Sequence, residues 1–310
     1  MRVRFLTNVL ALIALCCVVT PALAEDGFYA AAGASYYAVD LPDYRPLVYM
    51  DAGGINRVDS RHVHDGVADG ALGELTLGWR SGKAFFEARG FTSSPESTED
   101  RTLSNPGVTF GLASLDGTGY TPFPSAWATS AKLEVSQYGG ELLAGCELPL
   151  AENLSVSPFV GYFVMELDQD YSLSTYAVGN PALAFHRSEG LNATYNGLET
   201  GARLAWTGEL LRARLAGTLG WAHVRSEYHG SERGIYNDSL KLHRDDWGGR
   251  ARLEGGVDLL LGAWTLGLDA GAEYLSFVPG IQSSDTYEPT SIRSAESVSG
   301  KLGLNLGYAF

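Results

Sequence analysis

An acid two residues from an imidazole is the first arrangement in this chain that could do chemistry. Glu227, Tyr228 and His229 supply it. On a strand, positions i and i+2 share a face, so Glu227 could orient the His229 ring as a general base. Asp245 and Asp246 are the nearest aspartate pair, but adjacent strand residues point to opposite faces. His62, His64 and Asp65 form a second cluster, in which two histidines on one strand face suit a transition metal. His186, His223 and His243 have no obvious partners. Phosphate-binding loops, dinucleotide fingerprints and the Gly-x-Ser-x-Gly elbow are absent from the sequence. A serine–histidine pairing of the lipase kind depends on spatial neighbours, which the sequence leaves open. A solvated loop is the simpler account of both clusters. No catalytic, cofactor-binding or metal-binding residue is therefore assigned, and a non-enzyme without a cofactor is expected.

A larger set of charges recurs at alternate positions of apolar segments. Glu74, Glu87, Arg89, Glu141, Glu199, Arg203, Arg212, Arg214, Arg250, Arg252, Glu254, Asp258, Asp269, Glu273 and Lys301 belong to it. Each faces away from its apolar neighbours, so together they imply a shared polar interior. Unpaired charges in a narrow interior are costly, so mixed signs favour a salt-bridged plug over a channel.

The elements that would hold these charges are short alternating strands. The last is the clearest: Val298, Leu302, Leu304, Leu306, Tyr308 and Phe310 share a face, with Ser299, Lys301, Gly303, Asn305, Gly307 and Ala309 on the other. Nine earlier segments read the same way, near 27–39, 71–80, 84–92, 132–146, 154–167, 194–206, 210–225, 247–259 and 264–276. A strand crossing lipid must turn apolar side chains outward and satisfy its backbone on its neighbours. Short connections at Ser81–Lys83, Glu147–Asn153, Thr207–Glu209 and Leu260–Ala263 alternate with long ones near 40–70, 93–131, 168–193, 226–246 and 277–297. Trp79, Trp206, Trp264 and Phe310 mark the short-turn end of the strands; Trp221, Trp247, Tyr274 and Phe277 mark the other, as two interfacial girdles would. Val108 to Ala113, inside the second long connection, reads as an extra hairpin strand.

The expected fold is all-β: one antiparallel transmembrane β-barrel of about 10 strands, with 8 or 12 also compatible. Long loops lie outside the cell and short turns in the periplasm. A soluble periplasmic β-protein is the structural alternative. At ten strands the interior is narrow, since wide aqueous channels appear at roughly 16–18 strands.

The first 24 residues read as a cleavable signal peptide. Arg2 and Arg4 precede an apolar stretch from Val9 to Val19, and Ala22, Leu23 and Ala24 form an A-x-A site. Residues 25–310 then make the barrel domain. Cleavage after Ala24 removes Cys16 and Cys17 and leaves Cys146, so no intrachain disulfide is expected. It also leaves 20 basic against 36 acidic residues, a formal charge of −16. Such acidity disfavours nucleic acid as a partner.

Together the signal, the alternation, the loop asymmetry and the ending at Leu304, Leu306, Tyr308 and Phe310 resemble bacterial outer-membrane β-barrel proteins as a class. The resemblance implies insertion in the outer-membrane lipid bilayer. It also implies assembly by the barrel-assembly machinery acting on the strand that ends at Phe310. In strand number and loop layout the chain is similar to the omptin proteases, which carry an Asp-x-His pair and an aspartate pair near the barrel rim. Glu227–His229 departs from that pattern at the acid, and no aspartate pair completes it. The expected function is a non-enzymatic surface barrel with a structural or interaction role through its outer loops. A small diffusion channel and an omptin-like rim protease are the alternatives.

Overall fold

The computed structural model describes residues 27–51, 54–57, 64, 66–103, 109–117, 119–122, 126–178, 180–234, 237–282 and 289–310. The signal segment, His62, Asp65 and Val108 lie outside the described residues. The strands are β1 (Gly27–Asp40), β2 (Leu47–Asp51), β3 (Gly54–Arg57), β4 (Val67–Ser81), β5 (Ala84–Ser93), β6 (Glu96–Leu103), β7 (Thr109–Ala113), β8 (Tyr120–Pro122), β9 (Trp127–Cys146), β10 (Leu148–Ala151), β11 (Leu154–Ala177), β12 (Asn180–Thr207), β13 (Leu211–Arg233), β14 (Ser239–Leu261), β15 (Trp264–Gln282) and β16 (Ser291–Ala309).

Ten of them close a ring of antiparallel pairs: β1, β4, β5, β9, β11, β12, β13, β14, β15, β16 and back to β1. The first and last strands close it in register, with Tyr29 opposite Ala309 and Asp40 opposite Val298. That fixes the count at ten wall strands. β6 continues the line of β5 past Ser94 and Pro95, where proline cannot donate to the ladder. The tightest turns need glycine. Gly82 and Gly262, with φ of 55° and 67°, open the two-residue turns into β5 and β15.

A belt of outward apolar side chains circles the short-turn half. On β16 it runs from Val298 to Tyr308, with Leu302, Leu304 and Leu306 each at least half exposed. Ten residue steps of ~3.3 Å at a tilt near 40° span roughly 25 Å, the height of an apolar barrel belt. Trp79, Trp206 and Trp264 are exposed at one rim; Trp221, Trp247 and Tyr36 are exposed at the other. Phe277 is a correction to the expected girdle, because it turns inward and is buried.

The long connections are the main departure from expectation. Residues 168–193 and 226–246 are mostly strand: β11 and β12 run on to Ala177 and from Asn180, and β13 and β14 run to Arg233 and from Ser239. The facing of the strands never changes, but its chemistry reverses. On β11 the outward row is Val160, Tyr162 and Val164 below, then Glu166, Asp168 and Asp170 above. The inward row becomes Met165, Leu167, Tyr171 and Leu173, all buried. A rule that demands apolar-out stops at the lipid boundary, although the strand continues into water. Above the belt the ring is thus a water-soluble β-wall around an apolar core.

Residues of the first two long connections enter that core. β2 pairs with β3 and β7, and β7 with β8, giving a separate four-stranded sheet. β7 realises the expected extra strand over Thr109–Ala113. Leu47, Val48, Leu112 and Leu115 from this region are fully buried.

Candidate functional site

Two buried polar systems fill the interior, one at the level of the membrane and one in the mouth. The lower system is built from the alternating charges of the sequence, and all fifteen face inward. Arg252 grips Glu141 with both terminal nitrogens, at 2.6 and 2.9 Å. Arg250 bonds Glu141 at 2.9 Å and Glu273 at 2.6 Å, and reaches Glu199 at 3.5 Å. Lys301 bridges Glu74 and Glu254 at 2.6 and 2.7 Å. Glu87 takes Arg89 at 3.1 Å, the Arg203 Nη1 at 2.7 Å and the Tyr29 hydroxyl at 2.5 Å. Arg212 and Arg214 meet Asp258, and Arg214 also meets Asp269.

Aromatic rings close the gaps between these ions. The Arg250 guanidinium lies 4.8 Å from the Phe163 ring centre, and Arg203 lies between Phe85 and Phe159 at 5.1 and 5.4 Å. Glycines make room for the rings: a Cβ on Gly201 would come within 2.5 Å of Phe159 and 2.3 Å of the Gly217 carbonyl oxygen. The space remaining among Arg89, Arg214, Arg252, Glu254 and Lys301 is a cavity of about 140 Å³. Opposite signs interleave along its wall, so no stretch presents one sign to a passing ion. The lumen is lined by paired charges of both signs.

The upper system ties the inserted sheet to the barrel. Arg187 on β12 is fully buried and donates to the carbonyl oxygens of Pro46 and Ala113, which flank β2 and end β7. It also bonds Glu232 on β13 at 2.9 Å, with neither side chain exposed. Glu189 accepts from the Tyr228 hydroxyl at 2.7 Å and from the Tyr44 hydroxyl, and Tyr44 stacks on Tyr171 at 4.4 Å. Burial works against the Arg187 charge, but Glu189 and Glu232 outweigh it and raise its pKa. Burial pushes the Glu232 carboxyl up, against the pull of Arg187. Burial and then Glu189 push the phenols of Tyr44, Tyr171 and Tyr228 well above their ordinary range. Local spacing carries no hint of this cluster, because its members lie in segments that read as loops.

The residues singled out for catalysis are not gathered in the mouth. Glu227 and His229 do share a face of β13, but it is the outer one. Glu227 pairs with Arg225 at 2.8 Å, and His229 lies over Gly190 of the neighbouring strand. Asp245 and Asp246 do point apart, Asp245 to His243 at 3.1 Å and Asp246 to Arg244 at 2.7 Å. His223 gains partners across the strands: Asp245 at 3.9 Å and the edge of Trp247 at 5.3 Å. His186 meets Ser174 at 3.0 Å on the outer face. Both contacts follow from register between strands, which local spacing does not encode. His64 is buried and its Nδ1 accepts from the Gly66 amide at 3.0 Å. Its proposed metal partners, His62 and Asp65, lie outside the described residues. Among the described residues no group of three His, Cys, Asp or Glu is placed to hold a metal ion.

A closed ten-strand ring, an apolar belt with aromatic rims, and long outer strands above short turns define the fold as an outer-membrane β-barrel. A known structure supports the fold. The crystal structure of the outer membrane protease OmpT from Escherichia coli aligns with a TM-score of 0.50 at 12% identity, covering 94% of this chain and 99% of that one. The translocator domain of the autotransporter NalP from Neisseria meningitidis aligns at 0.37 and 11% identity, covering 100% and 96%. No protein-family model matches the sequence, and no curated protein matches it.

Proposed function

We propose that this chain is a non-enzymatic surface protein of the bacterial outer membrane that acts through the β-wall standing above the bilayer. The observation that carries this reading is the filled mouth: the four-stranded sheet occupies it and the Arg187 cluster fixes it there. A pore needs a continuous polar path, and the interleaved ion pairs of the lumen oppose one. A rim protease needs its acid and base to converge over a cleft. Here Glu227 and His229 lie on the convex outer surface, and Glu227 is engaged by Arg225. Membrane insertion through the strand ending at Phe310 belongs to the same proposal. The outer apolar belt supports it, and so does the Phe310 amide, which bonds the Phe28 carbonyl where the ring closes.

Two measurements on refolded protein test the reading. In planar bilayers, no stable conductance is expected; stepwise stable channels would replace it with the pore. With dibasic peptides, no cleavage is expected. Cleavage that disappears in a His229→Ala variant would establish the protease instead.

A further inference from the structure

The β-wall above the membrane is not closed. β14 pairs with β13 along its whole upper half, from Gly220 opposite Arg250 to Ser231 opposite Ser239. Its other neighbour leaves early. β15 pairs with β14 only from Trp264 to Leu275, and the β15–β16 register shifts between Leu275 and Val278. Beyond that shift Phe277, Val278 and Ile281 are all buried, so the β15–β16 hairpin folds inward over the core. Among the described residues, no strand pairs with the other edge of Ser239–Gly248.

Parity identifies which groups face that edge. The Gly249 amide donates sideways to the Ser276 hydroxyl of β15 at 2.7 Å. Along an antiparallel strand, alternate residues direct both N–H and C=O to the same side. Lys241, His243 and Asp245 therefore present their backbone groups to the open edge, at a repeat of ~7 Å. Their side chains point outward, and those of Leu240 and Leu242 point inward, partly buried against the core.

We propose that the upper edge of β14 docks an extended segment of a partner polypeptide, added beside Ser239–Arg244 as a new strand. Paired donors and acceptors at a two-residue repeat are complementary to another extended backbone. The side chains specify its character. Leu240 and Leu242 ask for apolar residues on the inward face. Lys241 asks for acidic residues on the outward face. Asp245 sets the lower limit of that acidic stretch. A lysine on an edge discourages uncharged strands from joining, and it favours acidic ones. The inference rests on the non-enzymatic surface function proposed above and names the class of its partner.

The test uses the full-length refolded protein in micelles and fluorescein-labelled octapeptides: alternating Glu and Val, alternating Lys and Val, and the Glu–Val peptide with a central proline. Saturable binding of the Glu–Val peptide is expected, with the other two about tenfold weaker or more. His243→Pro removes an edge-facing N–H and spares the ladder to β13. It should weaken binding about five- to tenfold, with His243→Ala within about threefold of the parent. Lys241→Glu should also weaken binding, and this arm stands if the proline variant does not fold. No saturable binding, or equal binding by the proline and alanine variants, overturns the proposal. A concentration-dependent dimer in sedimentation that His243→Pro abolishes overturns it too, because a second copy then fills the edge. Mass spectrometry of the recovered peptide separates the two readings. Bound and cleaved peptide would sink the non-enzymatic function but not the edge, whereas intact, unbound peptide would sink only the edge.

Discussion

Replacing Arg187 with methionine removes the charge that holds the inserted sheet and leaves its partners in place. Glu232 is then a buried carboxylate without its ion-pair partner, Glu189 loses the neighbouring positive charge, and the carbonyl oxygens of Pro46 and Ala113 lose a charged donor. Breaking one side of a buried ion pair costs about 3–5 kcal/mol, and methionine fills enough of the arginine volume to keep the cavity contribution small. The loss should fall on the mouth rather than on the membrane belt, since the contacts are all above it. Urea titration of the refolded protein in lipid vesicles, followed by tryptophan fluorescence, measures the total. Limited proteolysis within residues 41–66 and 104–126 reports whether the sheet has come loose. The triple variant R187M/E189Q/E232L removes the three charges together and keeps an acceptor for Tyr44 and Tyr228. Apolar replacement of a buried pair is often neutral or stabilising, so the triple variant should lie within about 1–2 kcal/mol of the parent. A single variant that loses less than about 1 kcal/mol, or a triple variant as damaged as the single, would refute the claim that charge compensation anchors the sheet.

The reversal of outward chemistry along β13 gives a paired prediction. Leu215→Arg, in the belt, should destabilise by about 2–4 kcal/mol, and Glu227→Arg, on the same row above it, by less than about 0.5 kcal/mol; equilibrium unfolding in vesicles compares them. Packing in the lumen gives another. Gly201→Ala drives a methyl against the Gly217 carbonyl and the Phe159 ring, and should cost about 1–3 kcal/mol in the same assay. The tyrosines of the mouth give a pH dependence. Their folded pKa values lie above the unfolded value of ~10, so their contribution is complete below pH ~10 and is lost as pH rises through the folded values. Absorbance at 295 nm should show Tyr44, Tyr171 and Tyr228 ionising only as the barrel unfolds; phenylalanine at all three leaving the titration curve unchanged above pH 10 would contradict this.

The membrane half was legible because lipid imposes one rule on every strand. Leu302, Leu304 and Leu306 must face out, and Lys301 and Asn305 are thereby placed inside. Even the interior charges could be assigned from parity alone. The outer half was not legible by that rule. Glu166, Asp168 and Asp170 face out on the row that Val164 occupies below, and a reader following apolar residues sees the strand end there. The pattern persists with its two faces exchanged, as water replaces lipid around the same cylinder. The Arg187 cluster was hidden for a different reason. Arg187, Glu189 and Glu232 look like loop charges until register brings β12 and β13 together and the first two connections fold in over them.

The same exchange bears on where the work of this molecule is done. A barrel that only anchored loops would have no need to carry β11 to Ala177 and β12 from Asn180 with an apolar core between them. Ordering those strands carries a large entropic cost, and core residues such as Leu173, Phe185 and Val224 offset it. The result is a rigid wall held high above the lipid, with its cavity filled. Rigidity of that kind suits recognition by backbone pairing, since a preformed edge binds without the cost of ordering itself. β14 supplies such an edge only because the β15–β16 hairpin turns inward at Phe277 and Val278. The residues that complete the core therefore also expose the strand. Polar substitution there, as in Val278→Asp, should release the hairpin and let it compete with any added peptide for β14.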